Sequence, residues 1–256
     1  MIATVEFGRT ASDYARHRAG FPPSFFDRMS RWGVGTPRQA LLDLGTGTGT
    51  LARGFAAQGA RVTGLDPDLR MLEQANALAA AAGLDIRWIA SGAERTGLAD
   101  ASFDVVTSGQ CWHWFDGPVV AREVHRLLRP GGRVVVAHFD WIPLPGNVAA
   151  RTEALIEAFN PAWRMGGGDG VHGAWLPMLG AAGFVGVETA SWDLMVPYTP
   201  EAWRGRIRAS AGVGASLAAD AVARFDEALA SLLEAEFPGP EVEVLHRVWF
   251  VTARRD

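Results

Sequence analysis

The sequence predicts an α/β fold of the doubly wound kind, and three observations predict it. Apolar runs of strand length recur at 41–44, 61–65, 85–90, 102–108 and 133–137. The segments between them at 51–58, 67–82 and 116–128 suit helices. Gly59, Gly83 and the Arg129-Pro130-Gly131-Gly132 stop close those helices in turn. Strands and helices that alternate in this way build a parallel sheet with helices on both faces.

The stretch around which the rest is arranged is Leu41–Asp66. Leu41, Leu42 and Leu44 form a buried strand that stops abruptly at Gly45-Thr46-Gly47-Thr48-Gly49. A helix over 51–58 follows, and a second strand ends at Asp66. Alternating glycines let the backbone pass close under a ligand and leave the N–H groups of the next helix to meet it. An acid at the tip of the second strand is placed to accept hydrogen bonds from vicinal ribose hydroxyls. A tight turn without a ligand accounts for the glycines but not for Asp66. The stretch therefore indicates a nucleotide-type cofactor.

Spacing narrows the cofactor. The dinucleotide fingerprint is G-x-G-x-x-G, with a third glycine for close helix–strand packing. Here Gly45, Gly47 and Gly49 give G-x-G-x-G preceded by Asp43. Asp43-Leu44-Gly45-Thr46-Gly47-Thr48-Gly49 resembles motif I of the class I S-adenosylmethionine-dependent methyltransferases, and Asp66 matches their ribose-binding acid. Phe103-Asp104-Val105-Val106 and the run from Glu123 to Gly132 are similar to the same family. Tyr14-Ala15-Arg16-His17-Arg18 with Gly20-Phe21-Pro22 resembles the small-molecule branch that includes trans-aconitate methyltransferase-like proteins. The resemblance is specific over about residues 10–140 and rests on element order beyond them.

The resemblance implies a single domain over 1–256 with a Rossmann-like seven-stranded sheet in the order 3-2-1-4-5-7-6, strand 7 antiparallel. It implies an N-terminal helical lid over about 1–36 and a helical cap over about 197–238. It also implies S-adenosylmethionine as cofactor and S-adenosylhomocysteine as product. The cofactor contacts it points to are Arg18, Asp43, Gly45, Thr46, Gly47, Asp66, Pro67, Ala93, Glu94 and Gln110. Tyr14 and Arg18, four apart, share a helix face, and Arg18 is suited to the cofactor carboxylate. Ser91-Gly92-Ala93-Glu94 stands where the family has a G-D-A-E-like turn around the adenine. Gly92 replaces the acid there, so adenine recognition falls to backbone groups near Ala93 and to Glu94.

Composition removes other classes. At 256 residues the chain can bury a full core. A net charge of −4 and a pI near 5.9 give no bulk electrostatic basis for binding nucleic acid or an anionic membrane. All 24 basic residues are arginine, which excludes lysine Schiff-base chemistry. One cysteine, Cys111, excludes an intrachain disulfide or a cysteine-rich metal cluster. The first twenty residues lack an apolar signal core and no run is long enough to span a bilayer, so a soluble, cytoplasmic protein is expected. The expected partner is a small organic molecule. The six histidines show no metal-ligand spacing such as H-E-x-x-H, and no metal is expected.

The second half continues with a helix at 148–159, the loop Gly166-Gly167-Gly168-Asp169-Gly170, a helix at 174–182 and strand six at 184–192. Helices at 200–211 and 218–237 form an insertion before a long final strand at 241–253. This order fits the antiparallel hairpin that closes the family's sheet.

Methyl transfer from a sulfonium is an in-line displacement, in which the enzyme mainly holds the reacting atoms together and excludes water. A hydroxyl or carbon acid as acceptor needs a base. His113 and His138 are the candidates because each falls at a strand tip facing the ligand crevice. The alternative for both is a neutral structural histidine. Trp112, Trp114, Trp141, His172 and Tyr14 are the candidate substrate contacts. Trp112 and Trp114 point the same way if the segment is extended, and one packs under the next helix if it turns. Cys111 reads as a small packed side chain. Arg204, Arg206 and Arg208 spread around their helix rather than converge. Two other functions fit parts of the sequence. One is a non-catalytic binding protein on the same fold; the other is an NAD(P)-dependent oxidoreductase.

Overall fold

The computed structural model describes residues 20–256. Tyr14 and Arg18, expected in the lid, lie outside the described residues. After helix α1 (Pro23–Arg31) the chain alternates β1 (Ala40–Leu44), α2 (Thr50–Ala57), β2 (Arg61–Asp66), α3 (Leu69–Ala81), β3 (Ile86–Ala90), β4 (Phe103–Gly109) and α4 (Gly117–Leu127). There follow β5 (Leu128–Trp141), α5 (Val148–Phe159), α6 (Leu176–Ala181), β6 (Phe184–Tyr198), α7 (Pro200–Arg208), α8 (Ala219–Glu236) and β7 (Val242–Arg255). The strands form one seven-stranded sheet in the order β3-β2-β1-β4-β5-β7-β6, with β7 antiparallel. This is the order expected from the sequence.

Register puts the strand tips level. Leu44 of β1 pairs with Leu65 of β2 and Ser108 of β4, and Asp66 pairs with Ala90 of β3. The β1, β2 and β4 residues that follow these pairs therefore emerge at one edge. The Arg129–Gly132 segment, expected as a helix stop, instead lies inside β5. Phe103 pairs with Leu128 and Val105 with Arg133, so the residues between loop out as a bulge. Gly131 takes a positive φ of 76° there. Strands β5 and β6 both outrun their expected lengths, because residues 138–141 and 193–198 keep strand pairing beyond the apolar run.

The described chain divides into two compact units, with the divisions inside β5, β6 and β7 and after Val171. The larger comprises 20–139, 172–191 and 248–256. Its core joins Leu42, Leu44, Leu65, Val106, Val136, Trp249 and Val251 of the sheet to Val120, Val124 and Leu127 of α4. Burying each such side chain contributes about 1.5–3 kcal/mol. The smaller unit comprises 140–171 and 192–247. It packs Trp203, Ile207, Phe225 and Leu229 of α7 and α8 on Val148, Ala149 and Ile156 of α5. The helices of the insertion thus share one cluster with α5.

The arginines of α7 were expected to spread around the helix, and only Arg206 turns away from the other two. Arg204 and Arg208 both pair with Asp226 of α8, while Arg206 is buried with its guanidinium 4.8 Å from the Trp141 ring centre. Among the described residues no helix is long and apolar enough to cross a membrane.

Candidate cofactor and catalytic site

The turn after β1 is built around a buried carboxylate. Asp43 is 2% exposed and accepts hydrogen bonds from Thr46 Oγ1 at 2.7 Å and Thr107 Oγ1 at 2.8 Å. It therefore ties the glycine turn and β4 to β1. Both of its oxygens face protein hydroxyls, so its place is beneath the turn rather than on its surface. Burial pushes the Asp43 carboxyl up to about 6, against the lowering effect of both threonines.

A folded-state value above the unfolded one means stability that is full below the unfolded value near 3.8 and is lost as pH rises through about 6. Ionised Asp43 then costs about 3 kcal/mol at pH 7.5. Asp43→Asn keeps the shape, and either hydroxyl can turn to accept from the new amide. The variant is expected to be more stable than the natural protein by about 1–3 kcal/mol at pH 7.5, with the gain vanishing near pH 4. Urea melts across that pH range check it; a variant that is less stable at pH 7.5 contradicts it.

The glycines of the turn differ in what surrounds them. Gly45 has φ 61°, and a Cβ there meets Cys111 Sγ at 2.6 Å and Phe115 Cζ at 3.0 Å. Cys111 is held in that place by Leu44 O at 3.2 Å and Ser108 Oγ at 3.0 Å. Gly47 has φ 55°, and among the described residues a Cβ there meets nothing nearer than Met71 Cε at 3.9 Å. One side of the turn is therefore packed and the other is open to a ligand. Gly47 N–H donates to Asp66 Oδ2 at 2.9 Å, and Asp68 N–H to Asp66 Oδ1 at 3.0 Å. Burial raises the Asp66 carboxyl above its ordinary value, opposed by these two N–H donors. Pro67 beside it is exposed, and the helix that Pro67 was expected to open starts instead at Leu69, capped by Asp68.

The β3 tip is braced from α4. Glu123 accepts from Thr96 N at 3.0 Å, Thr96 Oγ1 at 2.6 Å and Arg126. The Arg126 guanidinium holds the Glu123 carboxyl down at about 2, with help from Thr96. Ala93 is buried in the core, and exposed Glu94 accepts from Asp116 N–H at 3.1 Å. Gln110, at the β4 tip, holds a left-handed φ of 64° and donates its side-chain amide to Phe139 O.

Beyond Gln110 the chain makes a 3-10 turn over Trp112–Trp114, so the alternation of an extended strand does not apply. Trp112 is 2% exposed and edge-on to Phe115 in the core, which makes it a packing residue rather than a substrate contact. Trp114 is 40% exposed. His113 is exposed, with its ring centre 5.5 Å from that of buried His138 at the end of β5. His172 stands 4.0 Å from His138, centre to centre, and lies flat on Trp175 at 4.4 Å and 6°. Trp249 of β7 meets both His172 and Trp175 edge-on. The two candidate bases and His172 are thus gathered at one place in the larger unit.

Trp141 falls in the smaller unit, where its Nε1–H donates to Glu153 Oε1 at 2.6 Å and Gly167 N–H donates to Glu153 Oε2 at 2.7 Å. Burial raises the Glu153 carboxyl despite these donors. Glu153, Thr107 and Trp249 carry no motif and were not singled out from the sequence. The alternation of β7 was the only legible sign of Trp249. His246 is structural, buried with Nδ1 3.0 Å from Val244 O and stacked near Tyr198. His125 packs edge-on against Phe184.

A sheet in this order, with a glycine turn on its first strand and an acid on its second, defines a class I S-adenosylmethionine-dependent methyltransferase fold. Comparison with known proteins agrees. Residues 42–136 match the methyltransferase domain family. An uncharacterized methyltransferase of Mycobacterium tuberculosis is 36% identical over 154 residues, 58% of this chain and 60% of that protein. The malonyl-[acyl-carrier protein] O-methyltransferase of Pseudescherichia vulneris is 36% identical over 129 residues, 50% of this chain and 49% of that protein. Among solved structures, the YcgJ protein of Bacillus subtilis aligns with a TM-score of 0.59 over 90% of this chain and 97% of that one, at 20% identity. The chain thus spans 60% of the length of the mycobacterial relative and about half of the other. Residues 42–136 of this chain thus carry a match to the methyltransferase domain, and the sheet has the Rossmann-like order of methyltransferase structures.

Proposed function

We propose that the protein transfers a methyl group from S-adenosylmethionine to a small organic molecule. One observation carries the reading: a turn that is packed beneath Gly45 and open at Gly47, with Asp66 bonded to the Gly47 N–H. A backbone cradle of this kind suits a ligand that must lie against the main chain, and Asp66 suits its ribose. Glu94 and the backbone at Ala93 take the adenine, and Gln110 takes the amino-acid end, its Oε1 being the acceptor offered to an ammonium. Asp43 acts through Thr46, which it holds in the turn.

When bound, the cofactor supplies a methyl group on a sulfonium, which an aligned nucleophile can displace. His138 is the base for acceptors that must lose a proton, and exposed His113 beside it is the second candidate. A buried imidazole exchanges a proton without a large hydration shell to reorganise. Trp114 and His172 contribute to acceptor binding in the larger unit. A small acceptor accords with an acidic chain. A cytoplasmic location accords with a sequence that holds one cysteine and so no intrachain disulfide.

The test is a metabolite-pool assay with methyl-labelled cofactor. Label is expected in one small compound, with an equal amount of S-adenosylhomocysteine. Cofactor binding without S-adenosylhomocysteine from any pool would favour the non-catalytic reading instead.

A further inference from the structure

We propose that His138, Asp140 and His172 form a binding site for one divalent first-row transition metal ion of the zinc type. A ring nitrogen from each histidine and a carboxylate oxygen of Asp140 all lie within 4.8 Å of one another. Donors about 2.0–2.2 Å from a tetrahedral ion stand about 3.3 Å apart, so side-chain rotation has to close a gap of about 1.5 Å or less. Two imidazoles and one carboxylate suit zinc, iron(II) or nickel(II), whereas magnesium and calcium prefer oxygen ligands throughout.

The strand supplies two of the three ligands. His138 and Asp140 stand two apart on β5, and alternation along a strand puts both side chains on one face of the sheet. The third ligand comes from a segment that Gly170 and Gly173 flank. Packing fixes the His172 ring there: it lies flat on Trp175 at 4.4 Å and 6° and meets Trp249 edge-on at 5.4 Å. Its centre stands 4.0 Å from that of His138. Ligands held in place before the ion arrives lose little freedom when it binds. His138 is 2% exposed, whereas Asp140 and His172 are half-buried, so an ion can enter past the latter two.

Charge favours the full set of three. Two neutral imidazoles and one ionised carboxylate leave a single positive charge on the filled site; two histidines alone would leave both charges of the ion. Asp140 thus offsets half of the charge brought into partly buried surroundings. His113, its ring centre 5.5 Å from that of His138, stands outside the set. Three protein ligands leave a tetrahedral ion one open position, for a water molecule. A ring nitrogen that ligates an ion cannot take a proton, and the other nitrogen of a neutral imidazole already carries one. A filled site therefore silences His138 as a base. This consequence, unlike the site itself, rests on the methyl-transfer reading.

Calorimetry of the chelator-treated protein with Zn²⁺ at pH 7.5 tests the site without any acceptor. One ion per chain is expected to bind with a Kd of about 1 μM or tighter, and Mg²⁺ is not expected to compete. His172→Phe keeps an aromatic ring on Trp175, and Asp140→Asn is the second variant if the first does not fold. Each is expected to weaken zinc binding about 100-fold or more. Zinc binding that is absent, or that neither substitution weakens, overturns the proposal and leaves the cluster as a carboxylate hydrogen-bonded among histidines. With S-adenosylmethionine and an acceptor that must lose a proton, equimolar Zn²⁺ is expected to slow single turnover about tenfold or more. A chelator is expected to restore the rate, and Asp140→Asn to escape the inhibition. Zinc bound in the site with an undiminished rate upholds the site and overturns the silencing of His138. A protein that binds zinc as expected, yet forms no S-adenosylhomocysteine from any acceptor with or without chelator, upholds the site and overturns the methyl-transfer reading.

Discussion

Gly47→Ala is expected to abolish useful cofactor binding while leaving the fold nearly intact. Among the described residues the new methyl group meets no atom nearer than Met71 Cε at 3.9 Å, so this side of the substitution is mild. Its cost is the left-handed backbone at φ 55°, about 1 kcal/mol for alanine. The Gly47 N–H can still reach Asp66, because only the side chain changes. The open face of the turn is where the ligand must approach, and a methyl group there blocks it. Affinity for S-adenosylmethionine is expected to drop by about 100-fold, or about 3 kcal/mol. Calorimetry and a thermal melt on the same sample separate the two effects. Gly45→Ala is the contrasting case: its Cβ falls 2.6 Å from Cys111 Sγ, so the loss is expected chiefly in stability. Equal cofactor affinity in Gly47→Ala and the natural protein would contradict the proposed cradle.

The second large effect is expected at the histidines. His138→Gln is expected to slow single-turnover methyl transfer by about 10²–10⁴-fold for an acceptor that must lose a proton. Cofactor affinity should not change, since His138 lies at the tip of β5 rather than in the glycine turn. His113→Gln is expected to have the smaller effect, because its ring is exposed and approaches His138 only from the side of the β4 turn. An acceptor already deprotonated at neutral pH should be indifferent to both. Unchanged rates in both variants with a hydroxyl acceptor would remove the base role from this chain.

How much of this was legible in the sequence follows from the range of each interaction. The stretch from Leu41 to Asp66 folds by local rules, with a short apolar run, glycines at positive φ and an acid at a strand tip. Its elements come within a residue or so of their expected bounds. Helix α5 starts and stops at the residues its pattern indicates, with Asn147 capping Ala150 N–H. The ends of β5 and β6 were less legible. Whether residues 138–141 and 193–198 stay extended depends on neighbouring strands contributed from far along the chain. The bulge at 129–132 is a similar case: Pro130 and two glycines suit a turn, and strand pairing on either side absorbs it.

The candidate site divides the same way. Its cofactor half sits on one continuous stretch and was readable as a motif. Its histidine half is assembled from the β4 turn, the β5 tip, the segment at 172–175 and β7. No spacing in the sequence announces that Trp249 will meet His172. The role of Asp43 was also only half visible. Its place in the motif is apparent from spacing, but its burial beneath the turn depends on Thr107 arriving on β4.

Parallel calorimetric titrations of the purified protein with S-adenosylmethionine and with NAD(P) bear most directly on the cofactor assignment. Saturable one-to-one binding of S-adenosylmethionine, with none detectable for either dinucleotide, is the predicted result. Tight binding of NAD(P) with none for S-adenosylmethionine would contradict it and point to an oxidoreductase.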